Sequence, residues 1–264
     1  MTDVASKFDH PATLLESALR SERTTMAVLL VALPVVCWIW IIAMARDMYG
    51  AMTGASRWMM TLSWDTPHLF LLWAMWAVMM TGMMLPSASP TILIYGLAAR
   101  RRHGRQATRL IYALAAGYVT VWALFSVLAT AIQRALGELL LISPMMELTR
   151  PSTGAALLMV AGVYQLTPLK QACLRACQSP LGFLLQRWRD GWRGAFRMGM
   201  DHGLYCVGCC WALMLLLFAG GVMNLAVIGG LTAFVAFEKM GLLGRQGARV
   251  SGTLLVVLGL WMLT

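Results

Sequence analysis

The chain has 264 residues, of which 59% are hydrophobic and 12% charged, and its 21 Lys and Arg against 11 Asp and Glu give a formal charge of +10. Soluble domains carry roughly 45–50% apolar and about 25% charged residues. This composition, with a mean hydropathy of +0.70, excludes a soluble enzyme core, a disordered chain and a coiled coil, and predicts an all-α, polytopic transmembrane helical bundle.

Residues 1–25 hold Asp3, Asp9, Glu16 and Glu22, too acidic for the basic region of a secretory signal. They read as a cytoplasmic N-terminal segment, amphipathic over 13–23, where Leu14, Leu15, Ala18 and Leu19 share one side. A single transmembrane domain follows over 26–264. An apolar run of about 17–25 residues can cross the ~30 Å hydrocarbon layer as a helix. About seven such spans are expected, over 26–45, 69–95, 110–132, 153–169, 203–220, 222–237 and 250–263. Pro86 and Pro90 should distort the second. Gly220, Gly221 and Asn224 leave room only for a tight hairpin between the fifth and sixth. Residues 183–197 place Trp188, Trp192 and Phe196 four apart among Arg187, Arg189, Arg193 and Arg197, the pattern of a cytoplasmic interfacial amphipathic helix.

With these spans, alternate connecting segments carry 17 and 4 of the 21 basic residues. Cytoplasmic loops hold the Lys and Arg excess, so a membrane protein with its N-terminus in the cytoplasm and its C-terminus outside is expected. The same asymmetry accounts for the net charge without nucleic acid and makes anionic lipid head groups its counterpart.

Six cysteines and 21 methionines are the unusual feature. Cys37 stands alone in the first span and reads as a small core residue. Cys173 and Cys177 are spaced to share one face if the helix continues past the fourth span. His202, Cys206 and Cys210 form one helical stripe, with Cys209 a turn after Cys206. In the second span Met75, Met79 and Met83 form one row and Met80 and Met84 a parallel one. Three segments therefore bring sulfur to one depth near the cytoplasmic face. Thiolate and thioether select Cu(I), whereas a thiolate and imidazole set also holds Zn(II). A reducing cytoplasm keeps such thiols available. The candidate metal ligands are Cys173, Cys177, His202, Cys206, Cys209, Cys210, Met79, Met80, Met83 and Met84. Outer-side methionines (Met48, Met52, Met59, Met60, Met145, Met146) suit thioether capture, or simple interfacial packing. His10, His68 and His103 read as solvated or capping residues. Asp201 can orient His202 or pair with Arg197. Glu238 and Lys239 read as an interfacial pair with a snorkelling lysine, or as a carboxylate acting behind the ligands.

Three stretches, Met75 to Pro86, Tyr164 to Pro180 and His202 to Met214, together with Gly221 to Asn224 and Glu238-Lys239, resemble a bacterial family described as predicted metal-binding integral membrane proteins (domain of unknown function 2182). The resemblance implies a multi-pass protein of the bacterial inner membrane and metal binding, and leaves mechanism open.

Three functions fit. The first is a soft-metal protein that handles or delivers Cu(I), with a metallochaperone or membrane protein as partner and an oligomer compatible. The second is a membrane thiol/quinone oxidoreductase built on the Cys206 to Cys209 C-x-x-C pair. The third is a non-catalytic membrane assembly subunit. No G-x-x-x-x-G-K-[ST] loop is present.

Overall fold

The computed structural model describes residue 26 and residues 28–50, 64–143, 146–242 and 244–263. The expected amphipathic segment 13–23 and Met52, Met59, Met60 and Met145 lie outside these. The described chain is all-α apart from one isolated bridge, between Ile142 and Leu148.

A π-helical turn, Val28–Ala32, leads into α1 (Leu33–Met48). α2 (Thr66–Met84) starts at Asp65, whose carboxylate accepts the His68 backbone N–H at 3.2 Å, an N-cap that satisfies one orphan donor of the first turn. Pro86 then stops the helix. A 3₁₀ turn, Pro86–Ala88, intervenes before α3 (Ser89–His103) resumes with Pro90 in its first turn. The Ala88 N–H turns back to the Leu85 carbonyl, so the Met84 carbonyl loses its helical partner and accepts instead from the Ser87 hydroxyl at 2.7 Å and the Tyr118 hydroxyl at 2.9 Å. The expected distortion thus points a carbonyl into the core.

α4 (Ala107–Glu138) has 32 residues and follows a 3₁₀ turn, Gly104–Gln106. α5 (Pro151–Leu166) ends where Thr167 takes an extended conformation before Pro168. The Thr167 hydroxyl then caps α6 (Pro168–Gln178) by accepting the Lys170 N–H at 3.3 Å. The fourth span therefore does not continue; the Cys173 and Cys177 helix is a new one. α7 (Pro180–Arg187) and α8 (Gly191–Met214) come next. α9 (Leu216–Gly220), a turn at Gly221, and α10 (Leu225–Lys239) form the tight hairpin, with the Asn224 carboxamide accepting from Ala226 and Val227 at 3.0 and 3.3 Å. α11 (Gly244–Trp261) closes the described chain.

Two expectations are corrected. Four helical stretches among the described residues are long and apolar enough to cross a membrane, not seven: Val28–Met48, Thr66–His103, Ala107–Glu138 and Gly191–Gly220. The other three expected spans are helical but limited. Pro168 cuts α5 at 16 residues, about 24 Å at 1.5 Å per residue. The Asn224 cap and the turn at Gly241 hold α10 to 15, and Arg245, Gln246 and Arg249 make the start of α11 polar. The second correction concerns 183–197, which is not one amphipathic helix. It breaks at Trp188–Asp190 because Trp188 is drawn against Tyr95 (ring centroids 5.3 Å apart), with the Arg102 guanidinium over its ring at 4.5 Å.

The closest packing is between α4 and α8. A Cβ on Gly199 would lie 1.9 Å from the Leu114 carbonyl oxygen, and one on Gly117 would lie 2.0 Å from the Phe196 carbonyl oxygen. Only glycine permits this backbone approach, which sets Tyr118 of α4 against Cys206 of α8. Gly199→Leu should force the helices apart, lowering stability by roughly 1–3 kcal/mol or more and melting temperature by several degrees. Gly230→Ala, where an added Cβ meets nothing within 4 Å, should leave it unchanged or raised. Thermal unfolding of the purified variants checks both.

Candidate metal centre

The site is built on α8. Its buried stripe places Cys206, Cys209 and Cys210 at 1% exposure each. Their thiols are free, and those of Cys209 and Cys210 donate to the Cys206 carbonyl at 3.1 and 2.9 Å. The Cys210 side chain interacts with those of Cys206 and Cys209, and that of Cys209 also with Cys177 of α6. Four thiols from two helices thus form a continuous row, from Cys206 through Cys210 and Cys209 to Cys177. The interaction with Cys209, reinforced by burial, holds the Cys177 thiol above its ordinary range. Cys173, one turn earlier on α6, sits beside Gly208, and burial raises it too. The fifth thiol therefore flanks the row.

The methionine rows deliver one member to this row. Met75, Met79, Met80, Met83 and Met84 are all buried, and Met84, the last residue of α2, brings its Sδ to 4.0 Å from Cys210 Sγ. Met79, Met80 and Met83 belong to the surrounding core, as do Met48 and Met146. His202 lies a turn before Cys206, but its Nε2 faces the Thr91 hydroxyl at 3.3 Å and its ring packs on Tyr118 and Phe183. Its buried Nδ1 has no hydrogen-bond partner.

Sequence reasoning passed over Lys170 and Tyr118 and gave Lys239 another place. Lys239, 5% exposed, does not snorkel; its Nζ donates to Cys206 Sγ at 2.8 Å and Ser87 Oγ at 2.9 Å, and lies 3.8 Å from Met84 Sδ. Glu238 is not its partner. That carboxylate is fully buried and pairs with the equally buried Lys170 at 2.7 and 2.8 Å, while the Gln165 carboxamide accepts from Lys170 and donates to Ser251. Tyr118 completes the group, its hydroxyl 3.0 Å from Cys206 Sγ. The only sequence signal for Lys170 and Lys239 was a lysine beside each cysteine-bearing or span-ending motif, which also describes any interfacial lysine. Asp201 orients no imidazole; Arg187 and Arg189 hold it at 3.6 and 3.4 Å. His68 is buried and packs on Trp64 rather than being solvated, and His103 faces Asp190 at 3.6 Å.

Among the described residues no three His, Cys, Asp or Glu side chains are grouped so as to hold a metal ion. The Cys209 and Cys210 thiols are turned back to one carbonyl and His202 is turned to Thr91, so a closed tetrahedral set does not form. What converges is two thiols of α8 with one thioether. That donor set suits a soft ion of low coordination number and not one demanding four N or S ligands.

Fold and site together define an all-α protein with a buried sulfur row behind apolar helices. A family model described as copper chaperone (PpoB2) matches residues 73–262, and the chain belongs to that family. The match bears out the expectation of copper handling drawn from the sulfur-bearing residues; it carries a different label from domain of unknown function 2182 and does not itself show a membrane-protein family. No curated protein and no solved structure matches the chain.

The Lys170–Glu238 pair makes a direct prediction. Removing one partner strands a buried charge, which costs about 3–5 kcal/mol. Lys170→Met or Glu238→Leu alone should therefore destabilise strongly, while the double variant should recover much of the loss. Chemical or thermal unfolding of the three proteins reads this out.

Proposed function

We propose that the chain is a multi-pass membrane protein that takes up Cu(I) between Cys206, Cys210 and Met84 and hands it along the thiol row through Cys209 to Cys177 and Cys173. The single observation that carries this reading is the meeting of sulfur atoms from α2, α6 and α8 in one contiguous set. Copper is the cargo here. Each transfer exchanges one sulfur ligand for its neighbour, so the ion never has to be released into an apolar interior. Met79, Met80 and Met83 supply weaker thioether ligands further along α2, and His202 stands one turn from the thiols as an accessory imidazole.

Membrane residence is supported by four long apolar helical stretches and by side chains such as Ile39, Phe70, Leu97, Leu124 and Val163, each more than half exposed. Water would not tolerate such continuous apolar faces on a monomer. We assign the chain to a bacterial inner membrane, with Cys177 and Cys173 presenting the ion to a metallochaperone or to a membrane partner.

The test is Cu(I) binding to the purified full chain, reduced and titrated against a chromophoric Cu(I) chelator. One tightly held ion per chain is expected. The Cys206→Ser, Cys210→Ser double variant should weaken it by more than about a hundredfold, beyond what loss of a merely supporting residue costs, and Met84→Leu should weaken it less. Binding by the wild type that does not exceed the double variant refutes the reading.

A further inference from the structure

Lys239 occupies a position that a copper-binding role for the sulfurs does not itself require. Its Nζ lies 2.8 Å from Cys206 Sγ and 3.8 Å from Met84 Sδ, against the two members of the sulfur set contributed by different helices. Among the described residues no carboxylate pairs with it, because Glu238, its neighbour in sequence, is committed to Lys170. An ammonium has three donor hydrogens and no lone pair, so Lys239 cannot ligate a metal. It contributes a fixed positive charge, held within a few ångströms of the place where the ion must sit.

That charge discriminates between ions. A thiol must lose its proton to bind a metal. When Cu(I) joins two thiols, two protons leave and the complex carries a single negative charge, which the Lys239 ammonium cancels. When a divalent ion joins the same two thiols, two protons leave and the complex is neutral, so the ammonium remains as an uncompensated buried charge. Burying an unpaired charge is costly, and the Lys170–Glu238 pair, already neutral, cannot offset it.

Resting on the Cu(I) reading above, we infer that Lys239 is the specificity-determining residue of the site, selecting soft monovalent ions, Cu(I) and Ag(I), over divalent ions by charge balance with a dithiolate. Softness and low coordination number favour Cu(I) over Zn(II) at any pair of thiolates. The Lys239 contribution is separate, and it extends to divalent ions that are themselves soft and two-coordinate, such as Hg(II).

The experiment measures affinities of the full chain in lipid nanodiscs for Cu(I), Ag(I), Zn(II) and Hg(II), each added alone under reducing, chelator-buffered conditions. It compares wild type, Lys239→Met, Lys239→Gln and Lys239→Arg, using those variants that elute as the wild type does. Lys239→Met and Lys239→Gln should lower the ratio of monovalent to divalent affinity by at least about a hundredfold, as expected for loss of a charge some 4 Å away in a medium of intermediate dielectric. Lys239→Arg should keep the ratio within a few fold. A residue that only props up the fold would lower all affinities together and leave the ratio fixed, which overturns the inference while the copper reading stands. Wild-type protein holding Zn(II) as tightly as Ag(I) overturns it without any variant. A wild type that binds neither Cu(I) nor Ag(I) removes both.

Discussion

Among the described residues two ammonium groups, Lys170 and Lys239, are buried, and one carboxylate, Glu238, is buried with them. An interior of low dielectric does not tolerate a charge without polar partners, so each ammonium has to find one. Glu238 serves Lys170, and the group left for Lys239 is the sulfur of Cys206. This constraint ties together four elements distant in sequence: α6 through Lys170, α10 through Glu238 and Lys239, α8 through Cys206, and the end of α2 through Met84 and Ser87. The site and the fold are therefore the same set of contacts.

Proline and glycine position these contacts. Pro86 releases the Met84 carbonyl, which Tyr118 then takes, and the same hydroxyl reaches Cys206. Gly117 and Gly199 let α4 and α8 approach closely enough for that to happen. Pro168 ends α5 and starts α6 anew, which turns Cys177 toward Cys209 instead of extending it along the fourth span. Each of these residues acts on a sulfur atom several ångströms away through the backbone it bends.

Much of this was legible in the sequence. Composition dictated an all-helical chain, the proline pair foretold the break after Met84, and the cysteine spacings foretold that separate segments bring thiols together. Less visible were the features that depend on partners far along the chain. The adjacency of Glu238 and Lys239 suggested that they pair with each other, yet on a helix successive side chains diverge by about 100°, and each found a partner on another element. The aromatic and arginine period of 183–197 promised one helix, but Trp188 gains more by packing between Tyr95 and Arg102 than by continuing it. Hydropathy alone counted seven spans because it cannot weigh a capping Asn224 or a Pro168 against an apolar run. Tyr118 gave no signal at all, being one aromatic residue in a long apolar helix.

Membership of the copper chaperone family makes copper the proposed cargo of the sulfur row, and the row offers a candidate means of holding it: two thiols of one helix and a thioether of another, with an ammonium beside them. X-ray absorption at the copper edge of the Cu(I)-loaded full chain addresses this coordination most directly. A cuprous edge is expected, with an all-sulfur first shell of two short Cu–S contacts and one longer thioether contact, the longer one lost in Met84→Leu. A shell dominated by nitrogen or oxygen, or one unchanged when Cys206 and Cys210 are replaced by serine, would contradict it.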